Sequence, residues 1–231
     1  MANSFDWHKE AEKQWDERSA FWKNSSKEMW ETGSRKSIVP FFEKHVPKHS
    51  SVIDAGCGDG YGSYKLMKSG YNVTGFDLSS EMIEKARNTY RNQLTFKKSD
   101  LVQLPVSQES TDAIIAINSL EWTEEPIQAI AEFDRVVKNG GKICIGLLGP
   151  TAGPRINSYP RLYGEKAICN TMMPWELQKL AKEKGWKLID GKGVYKQGIE
   201  ESNINNLLVE LKQALSFMWL FMFEKEKEGS M

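Results

Sequence analysis

The chain has little of what marks several classes of protein. Its 231 residues include 31 basic and 31 acidic side chains, so no net field attracts nucleic acid or an anionic membrane. The three cysteines, Cys57, Cys144 and Cys169, form no CxxC pair and have no interleaved histidine, which argues against a zinc site or a disulfide framework. We therefore expect no nucleic-acid partner, no membrane partner and no bound metal.

Long apolar segments are also scarce. The most apolar run, from Leu215 to Phe223, has nine residues, whereas a helix that crosses a bilayer needs roughly 20. The first residues, Met1 to Arg18, are dense in charge and lack the apolar stretch of a secretory signal. Together with reduced thiols, these absences predict a cytoplasmic protein in which the apolar run is a buried strand or helix end.

Residues 1–50 have a helical pattern of their own. Aromatic and small residues recur there at spacings of three or four among charged residues, and they are Trp7, Ala11, Trp15, Ser19 and Trp22. This spacing places them on one stripe of a helix. The segment is predicted to be a helical cap that covers the core, or a lid over a binding site. The chain's three histidines all lie in it and are expected to face solvent.

From Ser51 onward, short β-rich runs alternate with helical ones, which indicates a parallel sheet with crossover helices. Ser79 or Ser80 is predicted to cap a helix that continues through Arg87, and a further helix is expected from Pro174 to Lys184. The predicted strands are Ser51 to Ala55, Asn72 to Asp77, Leu94 to Lys97, Ala113 to Asn118, Lys142 to Leu147, Trp186 to Tyr195 and Phe217 to Phe223.

One interruption stands out after the fifth strand. A stretch rich in glycine and proline begins at Gly149 and is expected to be irregular, and a long loop at this place suggests a function. We expect one α/β domain over residues 51–223, with an acceptor-side insertion at 148–173. The charged tail, residues 224–231, is expected to be solvated and partly disordered.

The central motif is Val52-Ile53-Asp54-Ala55-Gly56-Cys57-Gly58-Asp59-Gly60. An apolar strand runs into three alternating glycines and then into a helix, and the glycines let a ligand approach the backbone. A dinucleotide site asks for glycine or alanine where Tyr61 stands. The loop also has Asp54 and Asp59 but no basic residue, so it repels a diphosphate. The charge pattern suits S-adenosylmethionine, which has an ammonium, a sulfonium and a single carboxylate.

Two further acids follow neighbouring strands. Asp77 ends the second strand, 23 residues beyond Asp54, where a carboxylate can accept hydrogen bonds from both ribose hydroxyls. After the next strand, Asp100 can accept a hydrogen bond from the adenine amine, beside an apolar contact from Leu101. This set of residues predicts an adenosine site without a phosphate.

The segment from about Ser51 to Leu147 resembles the class I S-adenosylmethionine-dependent methyltransferases of the methyltransferase-domain-11, small-molecule type. The resemblance implies a Rossmann-like, seven-stranded, mostly parallel sheet with helices on both faces and an antiparallel last strand. It also implies S-adenosylmethionine as cofactor and S-adenosylhomocysteine as product. The cofactor-binding residues expected on this basis are Asp54, Ala55, Gly56, Cys57, Gly58, Gly60, Asp77, Leu78, Met82, Asp100, Leu101, Asn118 and Ser119.

The acceptor side is less defined. Similar proteins place acceptor contacts after the fourth strand, where Asn118 begins a segment that lacks both the Asn/Asp-Pro-Pro-aromatic motif of amino-methylating nucleic-acid enzymes and a histidine. No catalytic base is therefore assigned, and Glu121 is not favoured for that role. The candidate substrate-binding residues are Trp30, Arg35, Trp122, Tyr159 and Tyr163.

The favoured function is transfer of the sulfonium methyl group to a small-molecule nucleophile by in-line displacement, in which holding the reactants in line supplies much of the rate. A protein that binds the cofactor without catalysis, as a sensor or partner subunit, is the alternative. A nicotinamide-dependent oxidoreductase is disfavoured by Tyr61 and the acidic loop. The acceptor, the methylated atom and the choice between monomer and homodimer stay open.

Overall fold

The structure, a computed structural model, describes residues 5–226, except for the side chains of residues 20–24 and 201. Seven strands form one sheet in the order β3-β2-β1-β4-β5-β7-β6. All neighbouring pairs from β3 to β5 are parallel, and β7 lies antiparallel between β5 and β6. The strands are β1 (Ser51–Ala55), β2 (Asn72–Asp77), β3 (Thr95–Lys98), β4 (Thr111–Ile117), β5 (Val137–Leu148), β6 (Trp186–Tyr195) and β7 (Ser216–Lys225).

Helices cover both faces of this sheet. They are α1 (Trp7–Glu31), α2 (Ile38–Glu43), α3 (Tyr61–Lys68), α4 (Ser80–Thr89), α5 (Pro126–Val136), α6 (Pro174–Glu183), α7 (Glu201–Ile204) and α8 (Val209–Leu215). Two 3₁₀ helices, Leu120–Trp122 and Gly153–Tyr163, follow β4 and β5. Within residues 5–226, every helix is too short or too polar to span a bilayer.

The central strands read as nearly continuous apolar runs because both of their faces are buried. In β4, Ile114 packs into the same core cluster as Phe133 of α5, while Ile115 packs on the opposite side with Phe42 of α2. All four side chains are at most 1 % exposed. The alternation of side chains along a strand thus divides one apolar sequence between two cores.

The fold class expected from the sequence is confirmed, including the antiparallel last strand. β1, β2 and β6 have the predicted bounds, and Ser79 caps α4 as expected, since its side chain accepts a hydrogen bond from the Met82 amide at 3.1 Å. β4 begins two residues before the predicted start and β5 five residues before it. The β-rich runs indicated the interior of each strand better than its ends.

Two predictions about irregular segments were wrong. The stretch after Gly149 contains the 3₁₀ helix Gly153–Tyr163, which short-range hydrogen bonds form despite its prolines. The charged tail begins later than predicted, because Glu224 and Lys225 are the last residues of β7. Glu224 pairs with Lys142 of β5, and Lys225 pairs with Glu109 at 3.2 Å. The predicted disorder of residues 227–231, like the place of the Trp22 side chain on its stripe, lies outside the described residues.

Candidate functional site

A cavity of about 510 Å³ lies at the carboxyl ends of β1, β2 and β4, which is the edge where open parallel sheets bind ligands. Its size is within the range of small-molecule sites. Its wall comes from the glycine loop after β1, the ends of β2 and β4, and α1. The predicted residues that line it are Gly56, Cys57, Gly58, Asp77, Leu78, Met82, Asp100, Leu101, Asn118, Ser119, Arg35 and Trp122.

The glycine loop uses two of its glycines for different purposes. Gly56 has φ +82°, and a Cβ there would lie 2.5 Å from Cβ of Ser119, so only glycine lets the loop pack on the end of β4. Gly58 has φ +54°, and a Cβ there would meet nothing within 4 Å. Because Gly58 lines the cavity, its missing side chain leaves room for a ligand against the backbone.

Asp77 is held in place by backbone donors. Its two carboxylate oxygens accept hydrogen bonds from the amides of Gly58, at 2.8 Å, and Ser79, at 2.9 Å. Burial, with Asp16 and Asp59 nearby, raises the pKa of Asp77 to about 6 against the effect of these two hydrogen bonds. Each oxygen keeps a lone pair for a ligand hydroxyl, so the carboxylate is oriented and still able to accept.

A second group of charges surrounds Arg35, which lines the cavity and lies 5.7 Å from the ring of Trp30. Burial lowers the pKa of Arg35, and the nearby carboxylates of Asp59 and Asp54 oppose that shift. Asp59 lines the cavity and accepts a hydrogen bond from the Ser26 hydroxyl at 2.9 Å. This end of the cavity therefore presents both signs of charge, as a zwitterionic ligand requires.

Asp54 lies behind the wall. It is 6 % exposed, it accepts a hydrogen bond from the Ser63 hydroxyl at 2.6 Å, and burial raises its pKa to about 6. It therefore acts on the cavity through its charge on Arg35, and the structure gives it no direct place at the surface. Ala55 and Gly60 are not part of the wall either.

The end of β4 supplies two unusual polar groups. Asn118 has φ +52°, a conformation that is uncommon outside glycine and is often found at functional sites. The hydroxyl of the next residue, Ser119, is buried and has no hydrogen-bond partner among the described residues. Both residues line the cavity. A buried hydroxyl without a partner is costly, and a bound ligand can satisfy it.

The helix α1 lies across this edge of the sheet and forms one side of the cavity. Its polar contacts reach each neighbouring segment: Trp7 Nε1 donates to the Trp122 carbonyl at 2.8 Å, Asp16 accepts from the Ser79 hydroxyl at 2.5 Å, and Arg18 donates to Asn157 Oδ1 at 2.9 Å. The apolar stripe seen in the sequence is thus turned toward the cavity, and Trp7, Ala11 and Trp15 line it.

The histidines behave only partly as expected. His8 lines the cavity and pairs with the carboxylate of Asp100, and His45 lies 2.7 Å from the carboxylate of Asp190. His8 and His49 are exposed, as predicted. The prediction was wrong for His45, whose side chain is only 18 % exposed because its partner Asp190 comes from a distant segment. No cluster that could hold a metal ion is present within residues 5–226.

Several candidate acceptor residues do not reach the cavity. The ring of Trp30 packs where a Cβ of Gly62 would sit, beneath the site. Tyr159 and Tyr163 are 52 % and 72 % exposed. They belong to a 3₁₀ helix that contributes Pro154 and Asn157, near its start, to the cavity wall. At three residues per turn Tyr159 lies on another face, and Tyr163 lies two turns beyond Asn157.

Glu121 is also excluded from the wall. It is completely buried, it accepts a hydrogen bond from the amide of Leu148 at 2.5 Å, and burial raises its pKa. It joins the 3₁₀ helix Leu120–Trp122 to the end of β5. The wall residues that the sequence did not propose as binding residues include Asp59, which it named only for its charge, and Trp15, Arg18, Asn157 and Phe217. Only the tryptophan spacing gave any signal for this group.

Comparison with known proteins identifies the domain. Residues 53–145 match a family described as a methyltransferase domain. The chain is 35 % identical over 101 residues to a malonyl-[acyl-carrier protein] O-methyltransferase of Hamiltonella defensa, in a match that covers 44 % of this chain and 39 % of that protein. The chain thus matches about two fifths of this relative's length. Residues 53–145 are a methyltransferase domain of the class I, S-adenosylmethionine-dependent family, as the sequence predicted.

Solved structures agree on the fold over a longer stretch. A chain from the complex of the Haloferax volcanii Trm112 methyltransferase activator with a methyltransferase superposes with a TM-score of 0.72 at 18 % identity, covering 92 % of this chain and 98 % of that one. The geranyl diphosphate C-methyltransferase of Streptomyces coelicolor A3(2) gives 0.69 at 14 % identity, with coverage of 97 % and 100 %. At these identities the likeness shows the fold alone, and the fold extends beyond the matched domain.

Proposed function

We propose that this protein transfers the methyl group of S-adenosylmethionine to a small-molecule nucleophile. The observation that carries the proposal is the cavity at the carboxyl ends of β1, β2 and β4, in which Asp77 is oriented beside a glycine loop that has no basic residue. A pyrophosphate would meet the carboxylates of Asp59 and Asp77 there, and like charges repel. A sulfonium nucleoside with an amino-acid end is attracted by the same groups.

The residues present fit this cofactor. Asp77 would accept from the ribose hydroxyls, and Asp100 with Leu101 would hold the adenine. The buried hydroxyl of Ser119, which has no partner among the described residues, and the cation of Arg35 would face the amino-acid end. The negative charge of Asp54, behind the wall, would partly balance the positive charge of Arg35. These roles follow from charge and position in the wall.

When bound, S-adenosylmethionine supplies a methyl group already activated by its sulfonium. A nucleophile forms the new bond to the methyl carbon as the carbon–sulfur bond breaks, the electron pair goes to sulfur, and S-adenosylhomocysteine is left. The protein's part is to hold the acceptor in line and to exclude water. The aromatic residues of α1 and Trp122, which line the cavity, suit that part.

A cavity of about 510 Å³ supports a small acceptor or a small group of a larger one. The balanced charge of the chain supports neither a nucleic acid nor a membrane as partner. The three buried, unpaired thiols support a cytoplasmic location. A monomer and a homodimer both remain compatible with this site.

The test has two parts. Isothermal titration with S-adenosylmethionine and S-adenosylhomocysteine should show saturable binding of both, and folded protein that binds neither would refute the proposal. A screen of metabolite extracts with a donor carrying a radiolabelled methyl group should then reveal a labelled product. Binding without transfer to any extract would favour the alternative, a sensor or partner subunit that holds the cofactor.

A further inference from the structure

We propose that the methyl acceptor has a single carboxylate on an apolar body, and that Arg18 is the residue that selects it. This inference rests on the proposed function and names the substrate class of the same cavity. The evidence is the position of one guanidinium in the aromatic end of the cavity, away from the acids that serve the cofactor.

The acceptor end of the cavity is apolar. Trp15 and Trp122 meet edge to face, with ring centroids 5.2 Å apart, and both pack in a cluster with Leu148 and Phe217. All four residues line the cavity. The carboxylates of the wall, by contrast, follow β1, β2 and β3. An acceptor that fills this end must therefore bring a flat or aliphatic body.

Arg18 brings a positive charge to this apolar end. Its guanidinium lies 5.6 Å from the centre of the Trp15 ring and donates to Gln14 Oε1 at 3.2 Å and Asn157 Oδ1 at 2.9 Å. Both partners are neutral, and no carboxylate of the described chain forms an ion pair with Arg18. The side chain is half-buried, so water completes its solvation while the cavity is open.

A bound acceptor changes that balance. An apolar body placed against Trp15 displaces water from the guanidinium, and a charge that loses its water without gaining a partner is costly. A carboxylate on the acceptor replaces the lost water, because its two oxygens can accept two parallel hydrogen bonds from the guanidinium. The site therefore favours an anion over a neutral molecule of the same shape.

The neighbouring basic side chains indicate why one negative charge suffices. Arg35 already faces Asp54 and Asp59, and His8 is paired with Asp100. Arg18 is thus the one cation lining the described wall without an acidic partner. A single guanidinium neutralises a single charge, so a carboxylate fits better than a phosphoryl dianion.

The test uses the full chain, with and without saturating S-adenosylhomocysteine, and matched probes: 2-naphthoate, 2-naphthamide and 2-naphthyl phosphate, with octanoate and octanamide as the aliphatic pair. Titration calorimetry should show at least one carboxylate binding about tenfold or more tightly than its amide, the size expected for a charged hydrogen bond. Arg18→Gln should abolish that preference. Arg91→Gln, which removes an exposed arginine bonded to Asn88, should preserve it.

Two further variants separate charge from packing. Asn157→Ala removes a hydrogen-bond partner of Arg18 but keeps the cation, so the preference should remain. Arg18→Lys keeps the charge without the fork and should reduce the preference several-fold, which decides the matter if Arg18→Gln does not fold.

The proposal is overturned if no carboxylate binds better than its amide, if the preference survives in Arg18→Gln, or if the phosphate probe binds tenfold more tightly than naphthoate. Failure of S-adenosylhomocysteine to bind would instead refute the proposed function, because the anion preference is also measured without it.

Discussion

The buried carboxylate of Asp54 should make the protein less stable at neutral pH than at mildly acidic pH. Burial disfavours the ionised form and raises the pKa of Asp54 to about 6 in the folded protein, above its ordinary value of 3.8. Between these values the folded protein keeps a proton that the unfolded chain has lost. The stabilising contribution of the protonated form is therefore complete below pH 3.8 and is lost as the pH rises through about 6.

The magnitude follows from the same two values. A difference of about two pKa units corresponds to about 3 kcal/mol between the ionised and protonated forms, and about 2 kcal/mol of this develops between about pH 4.5 and 7.5. Asp54→Asn removes the charge and keeps an oxygen that can accept from the Ser63 hydroxyl. The free energy of unfolding of Asp54→Asn minus that of the wild type should therefore be about 2 kcal/mol larger at about pH 7.5 than at about pH 4.5.

Urea unfolding followed by tryptophan fluorescence at the two pH values measures this difference. Asp112→Asn is the matched control: the hydrogen bond from Lys138 lowers the pKa of Asp112 to about 2, so Asp112 stays ionised across the window in both states. Its effect should be the same at both pH values. Parallel pH dependence of the wild type and Asp54→Asn would refute the assignment of Asp54 as a buried acid.

Four other substitutions test the site. Asp77→Asn should weaken S-adenosylhomocysteine binding about tenfold or more in titration calorimetry, because a ribose acceptor is lost; unchanged affinity would remove Asp77 from the site. Gly56→Ala should lower the free energy of unfolding by about 2–4 kcal/mol, from backbone strain and the clash with Ser119, whereas Gly58→Ala should mainly weaken cofactor binding; equal stability losses would contradict this division. Glu121→Gln should leave the affinity for S-adenosylhomocysteine within about twofold, and a tenfold loss would place Glu121 in the cavity wall.

Much of the fold and of the cofactor end could be predicted, because their determinants are local. β1 and the glycine loop are contiguous in sequence, so spacing alone indicated which residues turn toward a ligand. Asp77 was predictable for a related reason: an acid at the carboxyl end of the next parallel strand must lie beside that loop. In a parallel sheet, residues that end neighbouring strands lie at the same edge, so their place in the sequence predicts their place at the site.

The lining of the apolar end, which we propose binds the acceptor, could be predicted less well. Tyr159 and Tyr163 were chosen because they lie in the insertion, but the 3₁₀ helix there reaches the cavity through Pro154 and Asn157, near its start. Tyr159 lies on another face of this helix and Tyr163 at its far end. Arg18 gave no signal, because on the surface of α1 it is one charge among many. Glu121 was not favoured as a base from the sequence, and its complete burial keeps it out of the cavity wall.

The amino-acid sequence by itself determined the alternation of strands and helices, the glycine turn and the acids that follow β1, β2 and β3, since each depends on neighbours within a few residues. Tertiary structure alone decided where α1 docks, and with it the wall of the cavity at Trp15, Arg18 and Trp122. Docking depends on contacts between segments as far apart as Trp7 and Trp122. The spacing of apolar residues predicts only that a helix has an apolar face. The segments against which the helix packs decide what that face covers.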